Sequence, residues 1–279
     1  MEQYSHAAQL AAKLITTQYS SSFSLASRAF PAGMRKHIYN LYGLVRVADE
    51  IVDSYTGSDK LKQLHELEAS VYEAIKRGYS SNVIVHAFQI TAVHYDIDKT
   101  LIRPFFESMR TDITKQKYTQ KEYERYIYGS AEVVGLMCLK IFATSEEEYD
   151  LLRPGAEALG AAFQKVNFLR DIAHDHSQLE RFYFPHATYE TFDDVAKQAV
   201  VTDIYADFRT AKPAIDQLPK SARGPVMAAY RNFYTLLQRL DRASVAQLKE
   251  RRVRIHDGLK LAILIGTVMQ HKSGLAGRS

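Results

Sequence analysis

The chain has 279 residues and a formal net charge of +4, with 46% hydrophobic and 24% charged residues. That is the balance of a soluble globular protein, long enough for one large domain or two ordinary ones, and too mildly basic to argue for nucleic-acid binding. Its single cysteine, Cys138, excludes an intramolecular disulfide and any multi-cysteine metal centre.

The amino-terminal stretch MEQYSHAAQLAAKLITTQYS has no basic start followed by an apolar run, so a secretory signal is not expected there. Glycine and proline are scarce. Pro31, Pro104, Pro154, Pro185, Pro213, Pro219 and Pro225 read as boundaries between long segments with apolar residues three and four apart. The expectation is an all-α single domain over residues 1–279, with roughly eight to twelve helices and no strand–helix alternation.

The segment HIYNLYGLVRVADEIVD (37–53) is the first with chemistry in it. At about 100° per residue, Tyr42, Arg46, Asp49 and Asp53 share one stripe of an otherwise apolar helix. Asp49 and Asp53 stand one turn apart, where like charges cost a few tenths of a kcal/mol in an isolated helix. A stripe of Leu61, Leu64, Leu67, Val71, Ala74 and Ile75 comes next, ending at Gly78. Cys138 sits in an apolar run with Val133, Val134, Leu136 and Met137 and reads as a buried thiol.

The segment LGAAFQKVNFLRDIAHD (159–175) repeats the acidic device: Gln164, Asn167, Asp171 and Asp175 share a stripe. Either stripe alone could be a solvated face. Two of them argue for a facing arrangement, which would repel unless cations stood between. Paired carboxylates with water and phosphate oxygens suit Mg²⁺ and would hold a diphosphate between the helices. His174 and His176 flank Asp175 but point to different helix faces, which disfavours a zinc pair. Small residues Gly129, Ser130, Ala131, Gly135, Gly160, Ala161 and Ala162 allow either an apolar slot or close helix packing. Val226, Tyr230, Phe233, Tyr234, Leu237 and Leu240 form a late helical stripe. The basic run KERRVRIH (249–256) reads as a solvated face, a lid over diphosphate, or a membrane-surface contact. GxGxxG, GK[ST], HExxH and GxSxG signatures are absent, so no nicotinamide cofactor is expected. The longest late apolar run, 261–269, is far short of the roughly 20 residues a membrane span needs.

At SSSFSLASRAFP (20–31), YGLVRVADEIVD (42–53), YIYGSAEVVG (126–135), FQKVNFLRDIAHD (163–175) and RFYFP (181–185) the chain resembles the squalene/phytoene synthase family. The resemblance implies an isoprenoid-synthase-like helical bundle around a central cavity. It implies a prenyltransferase that condenses two prenyl diphosphates head to head, in the manner of the bacterial phytoene synthases: two geranylgeranyl diphosphates give phytoene through a cyclopropylcarbinyl diphosphate. Dehydrosqualene, hydroxysqualene or squalene formation from farnesyl diphosphate, and a non-catalytic assembly factor on the same fold, are the alternatives.

By the same resemblance, Asp49, Asp53, Asn167, Asp171 and Asp175 would hold Mg²⁺, or Mn²⁺. Ser20, Ser22, Tyr42, Arg46, Gln164 and Arg181 would contact diphosphate, Tyr183 would stand at the cavity, and Asp112 would be a further acid. Tyr234 and Arg251 would close the site. Glu50 and Glu132 depart from the family pattern, Glu50 off the acidic stripe and Glu132 inside a small-residue segment. No nucleic-acid partner is implied. The expected location is cytoplasmic, with peripheral contact at the inner face of the membrane as a further expectation.

Overall fold

The computed structural model describes residues 1–19 and 26–272, the side chains of the last two excepted. Among these residues it contains α1 (Glu2–Tyr19), α2 (Ala32–Asp53), α3 (Lys60–Arg77), α4 (Val83–His94), α5 (Lys99–Thr114) and α6 (Gln120–Ile127). After a π-helical turn (Tyr128–Glu132) come α7 (Val133–Phe142), α8 (Glu146–Leu179), α9 (Asp194–Gln217), α10 (Lys220–Arg242), α11 (Val245–Glu250) and α12 (Asp257–Lys272). The described residues include no strand, only an isolated bridge between Lys117 and Phe182. None of their helices is long and apolar enough to cross a membrane.

The helix ends obey local chemistry. Asn82 accepts from the N–H groups of Ile84 and Val85, and Asp193 accepts from Ala196. Thr119 with Glu122, and Ser244 with Gln247, form reciprocal capping boxes. Gly78 ends α3 at φ +70°, in the left-handed region where glycine carries no Cβ penalty.

Prolines behave otherwise than their role as boundaries suggests. Pro31 and Pro219 do precede helices, but Pro104, Pro154, Pro213 and Pro225 lie inside α5, α8, α9 and α10. An interior proline forfeits one backbone hydrogen bond, about 3 kcal/mol in an isolated helix. Buried apolar residues flank Pro104 (Ile102 and Phe105), Pro213 (Ala211 and Ile215) and Pro225 (Ala222 and Val226), and their burial offsets the local cost.

Among the described residues two large apolar cores form, with a small third where Ala8 and Ala12 of α1 meet Ile84 and Ala87 of α4. One gathers Leu41, Leu44, Ala48, Leu64, Phe88, Phe105, Phe106 and Leu136 from α2, α3, α4, α5 and α7. The other gathers Val166, Leu169, Ile172, Phe192, Ile204, Phe208 and Leu237 from the second half of α8, α9, α10 and the 182–192 segment. Glycines let the bundle close. A Cβ on Gly160 of α8 would stand 2.6 Å from the Ala131 carbonyl oxygen, and one on Gly135 of α7 would stand 2.8 Å from that of Ala156. A Cβ on Gly129 would meet the Pro104 carbonyl oxygen at 2.3 Å. These small residues serve backbone-to-backbone packing rather than an open slot.

Candidate active site

α2 places Asp49 and Asp53 one turn apart, and α8 does the same for Asp171 and Asp175. The segment after α8 ties the two pairs together. Glu180 takes φ +52°, a left-handed turn that ends the helix, and Arg181 N–H donates back to the Asp175 carbonyl (2.9 Å). Phe182 N–H then reaches the Gln116 carbonyl at 3.2 Å, which fixes the strand-like segment beside the end of α5. Arg181 is thereby buried and donates to Asp53 at 3.0 Å, with its guanidinium 3.9 Å from Asp112.

Asp112, near the end of α5, is the floor of the cluster. It accepts from the hydroxyls of Tyr118 (3.1 Å), Tyr126 (2.5 Å) and Tyr183 (3.2 Å). The Tyr183 ring stacks on Phe168 with centroids 3.9 Å apart, so its hydroxyl is aimed by the second core. Burial pushes the Asp112 carboxyl up to about 6, against the pull of Arg181 and Tyr126. Burial also drives the Tyr183 and Tyr126 phenols far up, with Asp112 adding to both.

Asp49 is pushed up to about 7 by burial and by Asp53, with Arg46 opposing. Asp175 is likewise pushed up to about 7 by burial and by Asp171, with Arg181 opposing and Asp53 and Asp112 adding to the rise. The two stripes therefore feel one another's charge. Asp53 is the exposed mouth of the cluster, and Asp112 is its closed end.

Two expected residues sit differently. Arg251 and Arg252 are both exposed, and it is Arg252 that grips Asp171, at 2.6 Å and 3.0 Å. Arg170 holds the same carboxylate from the other side, at 2.9 Å and 2.5 Å. The register differs because 251–256 is an extended strap in which helical spacing does not decide which side chain turns inward. Tyr234 is half-buried on α10, ring against Tyr230, Phe208 and Tyr205, within the second core. Gln164 and Asn167 are half-buried on the Asp171 stripe of α8, and Tyr42 is half-buried on the Asp49 stripe of α2. Ser20 and Ser22 lie outside the described residues.

Arg46 lies over the Tyr19 ring (4.4 Å) and donates to Glu50 at 2.6 Å. Glu50, off the acidic stripe by helical arithmetic, thus sets where Arg46 points. Glu132 closes the π turn and is pushed up to about 7 by burial and Glu157, with Lys165 opposing. Lys165 itself pairs with Asp203 (2.5 Å) and Asp207 (2.7 Å) on α9. Glu132 therefore belongs to an ionic cluster between α8 and α9. Burial raises the Cys138 thiol to about 12, where it is inert. His176 stacks on Tyr189 at 3.7 Å.

The donor set suits a hard divalent cation. Asp49 and Asp175 sit among carboxylates with too few cations to balance them, and all the available donors are oxygens. Among the described residues no three His, Cys, Asp or Glu side chains cage an ion by themselves. An ion here would complete its shell with water and ligand oxygens, which is how Mg²⁺ is commonly held.

The description "Squalene/phytoene synthase" belongs to the family model that matches residues 16–258. The chain belongs to the squalene/phytoene synthase family. It is accordingly a prenyltransferase with the all-α fold of that family, whose enzymes act on prenyl diphosphates and depend on divalent metal. A phytoene synthase of Arthrospira platensis is 29% identical over 236 residues, covering 80% of this chain and 72% of its own. A 4,4'-diapophytoene synthase of Staphylococcus haemolyticus (strain JCSC1435) is 27% identical over 200 residues, covering 69% and 67%. A dehydrosqualene synthase solved with a ligand superposes with a TM-score of 0.82 at 20% identity, covering 97% of this chain and 99% of that one. That likeness shows the shared fold.

Proposed function

We propose that the chain is a phytoene synthase: a Mg²⁺-dependent enzyme that joins two geranylgeranyl diphosphates head to head and releases both diphosphates. The observation that carries this reading is the convergence of Asp49 and Asp53 on α2 with Asp171 and Asp175 on α8 around Arg181, in a chain similar to phytoene synthases.

Asp49, Asp53, Asn167, Asp171 and Asp175 would hold Mg²⁺, which supplies charge neutralisation to a departing diphosphate. Mn²⁺, with the same preference for oxygen donors, would substitute. Arg46 and Arg181 bring positive charge to the same anion, Arg46 aimed by Glu50 and Tyr19. Tyr42, Gln164 and the residues at 20 and 22 would orient it. Loss of the first diphosphate leaves an allylic cation. The double bond of the second substrate attacks it, and loss of one proton gives a cyclopropylcarbinyl diphosphate. Loss of the second diphosphate, rearrangement of the ring and loss of a second proton give the central conjugated triene, so no reductant is consumed. Tyr183, its hydroxyl fixed on Asp112 and its ring packed on Phe168, would stand at the cavity beside Arg181. The arginine strap, with Arg252 on Asp171, would cover the anion and exclude water that would quench the cations.

The deciding experiment incubates the protein with Mg²⁺ and either geranylgeranyl or farnesyl diphosphate and identifies the extracted lipid. Phytoene is expected. Turnover of farnesyl diphosphate alone would refute the chain length and leave the condensation standing.

A further inference from the structure

Two arginine forks hold one carboxylate of the acidic cluster. Arg170 Nε donates to Asp171 Oδ1 at 2.9 Å, and its Nη2 donates to Oδ2 at 2.5 Å. Arg252 Nε stands 2.6 Å from the same Oδ1, and its Nη2 donates to the same Oδ2 at 3.0 Å. An ionised carboxylate offers about four lone-pair sites, and four guanidinium nitrogens compete for them here. A cation coordinates through one of those same lone pairs. Asp171 therefore serves a cation only when a guanidinium withdraws.

The two arginines are held differently. Arg170 precedes Asp171 within the 34-residue helix α8, and its side chain is 21% exposed. Arg252 lies on the 251–256 strap, which is not helical, and its side chain is 44% exposed. Burial and the like charges of Arg170 and Arg254 work against the Arg252 charge in this position. The strap is anchored through its backbone: Arg251 N–H donates to the Gln247 carbonyl at 3.0 Å, and the Arg254 carbonyl accepts from Arg239 at 2.8 Å. The Arg252 side chain can swing away while both anchors stay in place and no helix opens. Arg252 is the fork that can leave.

We propose that Arg252 gates the cation: it holds Asp171 until a diphosphate oxygen takes its guanidinium, and Asp171 then turns to the metal. The exchange keeps each charge paired. Arg252 trades a carboxylate for a diphosphate oxygen, and Asp171 trades a guanidinium for a cation. Metal and diphosphate thus favour one another's binding through the strap as well as by direct contact, and the coupling is reciprocal. The inference rests on the reading of this site as one for a divalent cation and diphosphate, and adds to it what controls uptake of the cation.

The test titrates Mn²⁺ alone into the full chain and follows the free ion by EPR. Arg252→Ala should bind Mn²⁺ at least about threefold more tightly than the wild type, the size expected for release of a partly exposed ion pair. Arg252→Lys keeps the charge without the fork and should fall between the two. Arg254→Ala removes the same charge from the strap without freeing Asp171, and should stay close to the wild type. A second measurement takes the rise in Tm that inorganic diphosphate adds in excess Mg²⁺. That rise should be smaller in Arg252→Ala, where the strap no longer couples the two ligands. Mn²⁺ affinity no higher in Arg252→Ala than in the wild type, equal tightening in Arg254→Ala, or an undiminished rise in Tm would overturn the gate and leave the cation reading standing. A wild type that takes up no Mn²⁺ would overturn both.

Discussion

Among single residues, the acidic pairs are legible because i,i+4 spacing on an amphipathic helix fixes where a side chain points. Arg181 and Tyr183 enter the reading only through the family resemblance and not through helical periodicity, because both positions depend on Glu180 adopting a left-handed turn that non-glycine residues rarely take. Arg252 is hidden for a related reason: in the strap after α11, neighbouring side chains alternate without a helical register to choose between them. Arg252→Ala should lower catalytic efficiency by at least about tenfold, since it removes a two-point contact to Asp171, while Arg251→Ala should stay within about twofold. Steady-state kinetics on the two variants makes the comparison, and equal losses would contradict the assignment. The pH dependence has a definite sign. Asp49 and Asp175, both pushed up to about 7, retain protons in the folded chain that the unfolded chain releases above about pH 4. The stability they contribute is complete below the unfolded value and is lost as pH rises through 7. The Tm of chelated protein should therefore fall between about pH 5 and pH 8, and Asp49→Asn should flatten the slope. A flat profile in the wild type would show these carboxyls to be unperturbed.

Secondary structure elements are legible in kind and less so in extent. Helical periodicity is plain in Leu64, Leu67, Val71 and Ala74, all buried on α3 up to Gly78, and Leu61, grouped with them, is 39% exposed at the first turn. The interior prolines mislead because their local penalty is outweighed by burial that a local reading does not see. The small residues let α8 meet the π turn and α7 backbone to backbone. Gly160→Ala would force a Cβ to 2.6 Å from the Ala131 carbonyl oxygen and 3.0 Å from Glu132 Cα. Neither neighbour is a flexible side-chain end, so a loss of about 1–3 kcal/mol is expected. In a chain of this size that is a fall of several degrees in Tm by calorimetry. A neutral outcome would mean that α8 and the π turn separate more easily than their packing implies. Asn82→Ala, removing the cap at Ile84 and Val85, should cost about 1 kcal/mol by the same measurement.

At the level of the whole molecule, the acidic cluster lies where the two cores meet: α2 and α5 bring Asp49, Asp53 and Asp112 from one side, and α8 with its return segment brings Asp171, Asp175, Arg181 and Tyr183 from the other. Neither half holds a complete site. A divalent cation bridging such carboxylates binds the folded chain and not the unfolded one, so it should raise Tm by linkage, and more so with diphosphate present. The proposed function requires these aspartates to act together in releasing diphosphate from a prenyl substrate. Release of diphosphate from geranylgeranyl diphosphate, measured with and without Mg²⁺ in the wild type, Asp49→Asn and Asp171→Asn, puts that requirement to the test. Metal-dependent release that falls at least about a hundredfold in each variant is predicted; release that is indifferent to Mg²⁺, or unchanged in either variant, would contradict it.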